Sequence, residues 1–494
     1  MRYISTRDKN INISASEAIA TGLSRDGGLF TPESMPSVSL DEIAAMCGQS
    51  YQSRAVKIMK LFLDEYSEEE IADFAKKAYG DNFDNADIAP LRELDGNTAF
   101  LELWHGPTCA FKDMALQMLP HLLTASLKKT GEKREVCILV ATSGDTGKAA
   151  LEGFRDVSGT RILVFYPEDG VSDVQKLQMT TQEGANVGVC AVKGNFDDAQ
   201  SGVKKIFSDE RLREELDGRG FFLSSANSIN WGRLLPQVVY YFSAYCDMVN
   251  RKLISCGDRV NFCVPTGNFG NILAGYYAMK MGLPVNRFIC ASNANNVLTD
   301  FIQSGTYDKN RPFHTTVSPS MDILISSNLE RLLFDLSGMD DKAVKSWMAE
   351  LSESGRYSVG DDVMKKLGDK FSAGFCDDGQ TERTISELFR GKNYLVDTHT
   401  AVAYKVLGEY REKTGDKTPS IVVSTASPYK FCDAVIEALG EKTEATGLEL
   451  IDRLSELSNT VAPAPLAALR NKERRFYDSI EKTEMRDKVL GFLK

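Results

Sequence analysis

From about residue 97 the chain alternates short runs of β-branched and apolar residues with longer stretches whose apolar positions recur at helical spacing. The β-rich runs fall at 136–142, 161–167, 185–192, 221–226, 260–265 and 287–291, and they give way to loops rich in Gly, Ser and Asn. Helical patterns separate them at 148–156, 172–183, 197–216 and 230–253. Strands alternating with helices build βαβ units and parallel sheets, which bind ligands at the carboxyl ends of their strands. Residues 1–95 read differently, with helical patterns at 41–50 and 67–79 after a turn-rich segment at 22–32, and are expected to form a smaller N-terminal unit. Residues from about 300 to 390 are more polar and helical and read as an insertion, while a last strand at 420–425 precedes a helical C-terminus.

Composition narrows the function classes. The 494 residues leave room for about three domains. A formal charge of -11, with basic residues scattered beside acids, argues against a nucleic-acid or acidic-membrane surface. Ten cysteines without a C-x-x-C pair, and only four histidines, argue against a structural zinc site and fit reduced thiols in the cytoplasm. The first residues lack an apolar signal core, and no apolar stretch approaches the roughly 20 residues of a membrane span.

Lys112 stands in His-Gly-Pro-Thr-Cys-Ala-Phe-Lys-Asp, residues 105–113, at the mouth of an amphipathic helix. Apolar residues surround it in sequence, with Met114, Ala115, Met118, Leu119 and Leu122 following at helical spacing. Such surroundings desolvate an amine and favour the neutral form that attacks an aldehyde to make a Schiff base. Asp113 reads as an acid favoured at a helix N-terminus, and Pro120 conflicts with an unbroken helix. A second loop, Pro-Thr-Gly-Asn-Phe-Gly-Asn at 265–271, follows a strand and opens a helix, so its backbone N–H groups suit a phosphate. An amine and a phosphate cup together are what pyridoxal 5'-phosphate (PLP) requires, because it carries both an aldehyde and a phosphate.

Residues 141–150, Ala-Thr-Ser-Gly-Asp-Thr-Gly-Lys-Ala-Ala, likewise follow a strand and point amides and hydroxyls at an anion. Gly147-Lys148 echoes a P-loop, but Thr142 stands where the first Gly belongs and Ala149 replaces the metal-binding hydroxyl, so an amino-acid carboxylate is favoured over a nucleoside triphosphate. Residues 225–233 place Arg233 at a helix start, as a surface residue beside a Ser228 cap or as the fork holding a second phosphate. Ser-Thr-Ala-Ser-Pro at 424–428 ends a strand with hydroxyls that cap the turn or face a ring nitrogen. His121 reads as a packing residue, His105 shares the Lys112 loop, and His314 and His399 carry no motif.

Taken together, the segments 24–30, 105–113, 142–147, 227–233, 265–271 and 424–426 resemble the threonine synthases, PLP enzymes of the tryptophan synthase β-like group. The resemblance runs over essentially the whole chain. It implies an α/β protein of PLP fold type II, with two open, twisted, mostly parallel-sheet domains and flanking helices plus a smaller N-terminal domain. The catalytic region would span 96–494, with about 140–245 as a smaller subdomain and about 300–390 as a helical insertion. By the same resemblance, Lys112 bonds to the cofactor aldehyde, Gly267, Asn268, Phe269, Gly270 and Asn271 hold its phosphate, and Thr425 meets its pyridine nitrogen. Asp145 stands where relatives usually carry Asn near the phenolic oxygen. Ser143 and Thr146 would receive the substrate carboxylate, Asn230 and Arg233 its phosphate, and His105 and Thr108 count among the expected substrate contacts. Ser427 and Asn271 depart from the family pattern, which has His and Asp there. The implied reaction turns O-phospho-L-homoserine and water into L-threonine and phosphate by β,γ-elimination and replacement. Its rivals are a phospho-lyase ending at 2-oxobutyrate and a non-catalytic relative of the fold. The resemblance says nothing of the oligomeric state.

Overall fold

Strands Thr98–Glu102, Val260–Pro265 and Ser420–Ser424 are buried at every residue, and only a sheet covered on both faces leaves a strand no polar side. The structure, a computed structural model, describes residues 1–494 apart from Ser143, Asp169 and Gly170 and the side chain of Asp197. Those strands form the centre of a six-stranded sheet whose order is Phe371–Phe375, Val285–Ser292, Val260–Pro265, Ser420–Ser424, Thr98–Glu102, Leu91–Asp95. All its pairings are parallel except the last. A second, five-stranded sheet runs Ser479–Glu481, Val187–Lys193, Thr160–Pro167, Glu135–Ala141, Phe221–Ser224 and is parallel throughout. The expected α/β architecture of two mostly parallel sheets is therefore present.

Three local differences from the sequence reading have physical causes. The helical pattern at 197–216 is two helices, Phe196–Ser208 and Glu210–Gly218, because Asp209 leaves helical conformation and its side chain accepts from the Leu212 amide. Pro120 breaks nothing, since it lies in the first turn of Leu119–Lys129, where its missing N–H is not needed. Within 300–390, Phe371–Phe375 is an edge strand of the large sheet rather than part of a helical insertion; its Ser-Ala-Gly centre carries no β-branched residue to announce it.

The N-terminal unit combines a three-stranded antiparallel sheet, Tyr3–Ser5, Asp8–Ile13 and Phe30–Pro32, with four helices. Ser14, Ser39 and Ser67 each open one of these helices in a capping box with the Glu three residues on. The unit shares its core with the body: Trp231 packs against Tyr3, Phe62 and Tyr277, with ring centroids 5.2, 5.5 and 6.1 Å away. Gly28 is required by close approach, because a Cβ there would meet Ser5 Oγ at 2.1 Å. Arg7 forks onto Glu330 at 2.8 and 2.7 Å. Beside it the fully buried Arg331 donates to the Phe30 carbonyl at 2.9 Å, to Asn328 Oδ1 at 2.5 Å and to the Ile229 carbonyl at 2.6 Å. Among the described residues, no helix is long and apolar enough to cross a membrane.

Replacing Arg331 by Met strands two buried acceptors and a half-buried one, and should destabilise the fold by about 3 kcal/mol. The measurement is the urea midpoint of unfolding, which should fall without a change in slope.

Candidate active site

The chemistry-bearing loops all leave the carboxyl ends of parallel strands. Lys112 follows Thr98–Glu102, Thr425 follows Ser420–Ser424, Gly267 follows Val260–Pro265 and Asp145 follows Glu135–Ala141. A backbone seam joins the first two: the Phe111 amide donates to the Thr425 carbonyl at 2.8 Å, and the Ser427 amide to the Cys109 carbonyl at 3.1 Å. Cys109 takes a left-handed conformation, φ 59°, to turn into this seam. Asp113 does more than cap a helix. It is buried and accepts from the Thr108 amide at 2.8 Å and the Thr108 hydroxyl at 2.6 Å, and burial pushes its carboxyl up to about 6 despite those bonds.

These contacts leave Lys112 at the start of the short helix Asp113–Leu116, packed on the helix Trp231–Asn250. Its side chain is half-buried, its Nζ sits 4.5 Å from the centre of the Phe111 ring, and it donates to no acceptor among the described residues. Desolvation and, after it, the nearby Arg233 push the amine down from 10.5 to about 8, with Asp145 acting in the opposite direction.

The loop 267–271 opens the helix Gly270–Lys280 with Phe269 in left-handed conformation, φ 64°. Among the described residues, the amides of Gly267, Asn268, Phe269, Gly270 and Asn271 donate to no protein acceptor. Asn268 is exposed and Gly267 half-buried, but Phe269, Gly270 and Asn271 are buried, and buried amides are normally paired, so this run of unpaired amides at a helix start forms a cup for an anion. Its carbonyls are fixed from outside: Ser326 Oγ donates to the Gly267 oxygen at 2.7 Å, and the Asn328 amide and Nδ2 both reach the Asn268 oxygen at 3.1 Å. Gly267 must be Gly, since a Cβ would lie 2.8 Å from the Ser320 carbonyl. Asn271 accepts from Tyr240 at 2.7 Å and Tyr241 at 2.8 Å, while its Nδ2 is buried without a partner. Arg233 is buried, donates from Nη1 to the Ala226 carbonyl at 2.6 Å, and its Nε is also unpartnered. No carboxylate pairs with it among the described residues, and burial lowers it to about 10. A buried guanidinium near the Lys112 amine, with no acid paired to it among the described residues, is arranged for an anion. These residues, with the free Lys112 amine, fit PLP.

Asp145, at the first turn of the helix Asp145–Phe154, is buried. Its Oδ1 takes Gln175 Nε2 at 2.8 Å and the ammonium of Lys430 at 2.9 Å, and Ser320 Oγ approaches Oδ2 at 3.4 Å. Burial alone would raise this carboxyl, but Lys430 and the hydrogen bonds prevail and hold it below the ordinary carboxylate value. The lysine of the P-loop echo faces elsewhere: Lys148 pairs with Glu152 at 3.0 Å and with Gln182. His399, without a motif in the sequence, accepts from the Ser320 amide at 3.1 Å and is braced by buried Asp397 at 2.7 Å, so it fixes the segment lying over Gly267 and Asp145.

Not every expected contact is brought to the amine. Both ring nitrogens of His105 are engaged by carboxylates, Asp84 at 2.6 Å and Glu102 at 2.9 Å, which raise it to about 9 against its burial. Thr108 is consumed by Asp113, and Asn230 caps its helix through the Gly232 amide while donating to the Ile19 carbonyl at 3.0 Å. Thr146 lies in the first turn of its helix, Thr425 is buried with no hydrogen bond from its hydroxyl among the described residues, and Ser143 lies outside the described residues. Lys430, Ser320 and His399 escaped the sequence reading. A lysine within Ser-Pro-Tyr-Lys-Phe-Cys, leading into an apolar helix, was the one visible signal.

Three family models match the chain: "Threonine synthase N terminus" over residues 2–79, "Pyridoxal-phosphate dependent enzyme" over 88–426 and "Threonine synthase, C-terminal" over 400–488. The threonine synthase of Pseudomonas aeruginosa is 41% identical over 472 residues, 95% of this chain and 97% of that one. The human threonine synthase-like 1 protein is 42% identical over 451 residues, and the match spans only 60% of its length. Among solved structures, the PLP-bound threonine synthase of Brucella melitensis has a TM-score of 0.89 at 38% identity over 100% of both chains, and the yeast enzyme also 0.89 at 35%, covering 99% of this chain and 98% of that one.

Capture of an aldehyde by Lys112 needs the neutral amine, so its rate should rise with pH to a plateau with a midpoint at about 8 rather than 10.5. Stopped-flow absorbance on the cofactor-free protein reads it, and Lys112→Ala should remove the phase altogether.

Proposed function

We propose, from the premise that this chain belongs to the threonine synthase family of PLP-dependent enzymes, that it converts O-phospho-L-homoserine and water to L-threonine and phosphate, as a carbon–oxygen lyase acting on a phosphate ester. The observation that carries the reading is the pairing of two anion-ready groups, the amides of 267–271 and the acid-free Arg233, with one unengaged amine at Lys112. One anion site suffices for a cofactor phosphate. A second buried cation calls for a second anion, and a phosphorylated substrate supplies it.

When bound, PLP supplies an aldehyde for the amine and a conjugated ring that accepts electron density from the substrate Cα. The chain supplies the rest. The five amides and the helix start at Gly270 bind the cofactor phosphate. Thr425 offers an uncharged hydroxyl to the ring nitrogen, which leaves that nitrogen less cationic than a carboxylate partner would. The first turn of Asp145–Phe154, with Thr146, receives the substrate carboxylate. Lys112, poised near neutrality, takes the proton at Cα and returns it. Arg233 holds the substrate phosphate and stabilises it as it leaves. The Ser320–Met321 turn, fixed by His399, covers the cup and limits water to the step that needs it. All ten cysteines are free thiols, which supports a cytoplasmic setting.

Incubation of purified protein with O-phospho-L-homoserine, followed by proton NMR, should give L-threonine and phosphate in equal amounts. Formation of 2-oxobutyrate without threonine would replace this reading by the phospho-lyase one, and no turnover by the non-catalytic one.

Arg233→Leu should lower kcat/KM for the phosphorylated substrate by roughly 100-fold, with cofactor absorbance retained, as steady-state kinetics and a spectrum of the same preparation will show.

A further inference from the structure

Two lysines stand at this site, and among the described residues Lys112 has no hydrogen-bond partner while Lys430 has several. Lys430, in the turn Pro428–Lys430 that follows strand Ser420–Ser424, is fully buried. Its Nζ meets Asp145 Oδ1, Gln178 Oε1 and the Thr108 carbonyl, each at 2.9 Å. Two of these contacts are hydrogen bonds, to Gln178 and to Thr108, and the third is an ion pair with Asp145. The side chain is thereby saturated and immobile, unfit for nucleophilic work. Its three partners belong to different elements: the helix Asp145–Phe154, the helix Asp173–Thr180 and the loop that carries Lys112. Its own carbonyl accepts from Ser172 Oγ at 3.1 Å. Lys430 thus ties the loop that carries Lys112 to the helices Asp145–Phe154 and Asp173–Thr180.

Asp145 depends on it. Apart from Lys430, this buried carboxylate has Gln175, a long contact from Ser320, and the more distant His399, which is itself braced by Asp397. Removing one partner of a buried ion pair leaves the other charge uncompensated, and a carboxyl in that position takes up a proton.

We propose that Lys430 is a positioning residue for this site: it holds the Asp145 carboxylate ionised near the reactive amine and thereby biases Lys112 towards its ammonium form. The charged groups facing that amine are Arg233 from the helix Trp231–Asn250 and Asp145 from the small-sheet domain, with Asp113 beside it in sequence and Lys430 behind Asp145. Arg233 disfavours the ammonium and Asp145 favours it. Loss of the Asp145 charge therefore leaves Arg233 unopposed, and the amine should titrate lower.

The proposal rests on the reading of Lys112 as the amine that captures PLP, and the test separates the two. The full-length protein and the variants Lys430→Met, Lys430→Arg, Asp145→Asn and Asp145→Asn/Lys430→Met are freed of cofactor, checked by circular dichroism, and mixed with PLP over about pH 6 to 10. Capture by Lys112, amine plus aldehyde giving imine plus water, is followed by absorbance. Lys430→Met and Asp145→Asn should each lower the midpoint by about half a unit or more. The double variant should shift no further than the larger single shift, and Lys430→Arg should keep the wild-type midpoint. An unmoved midpoint in Lys430→Met reduces Lys430 to packing, and a raised one means Asp145 stays ionised without it; either overturns the proposal. If Lys430→Met does not fold, the double variant must still titrate low and Lys430→Arg must not, or the proposal fails. No capture by the wild-type protein at any pH sinks instead the reading of Lys112.

Discussion

A lysine amine gives up its proton near neutrality only where water is kept from solvating its charge, and that requirement organises the centre of this molecule. Lys112 sits where the loops of two mostly parallel sheets converge, half-buried, with a guanidinium nearby and, among the described residues, no oxygen hydrogen-bonded to its amine. The seam from Phe111 to Thr425 and the two hydrogen bonds from Thr108 to Asp113 fix its backbone. Burying an amine this way also buries the loop around it, and the polar groups of that loop need partners. Asp113, Lys430 and Gln178 supply them.

What was legible in the sequence was local. Lys112 with its apolar followers and the Gly-Asn-Phe-Gly turn announce themselves because backbone conformation and nearest neighbours decide their behaviour. The strands 260–265 and 136–142 were plain for the same reason, as unbroken apolar runs that only a covered sheet accommodates. What was hidden was long-range. Nothing around Lys430 says that Asp145 is its partner, and nothing around His399 points to Ser320. Asn230 and Thr108 look available in sequence, yet each is spent on a neighbour that only the fold supplies. Phe371–Phe375 became a strand through its partner Val285–Ser292 rather than through its own residues.

The N-terminal unit takes on meaning from the same contacts. Arg331 holds Phe30 of that unit and Asn328 of the body, and Asn328 in turn holds the carbonyl of Asn268. Asn230, next to Arg233, reaches the Ile19 carbonyl. The unit therefore braces both anion-ready loops from behind, through hydrogen bonds to backbone carbonyls. Its shared core around Trp231 makes it a part of the scaffold rather than an appendage.

The strand Ser479–Glu481 completes the small sheet beside Val187–Lys193, although the two are far apart in sequence. During synthesis the Val187–Lys193 strand emerges long before its outer neighbour, and a strand with an unpaired edge is a template for the wrong chain. The small sheet must therefore wait, exposed along one side, while the whole of the large sheet's remaining strands and the segment after them are made. Because the late strand pairs only with Ala191, Val192 and Lys193, that stretch of edge would stay open until the C-terminal segment is made, and a chaperone that shields it would serve a cell making the protein quickly.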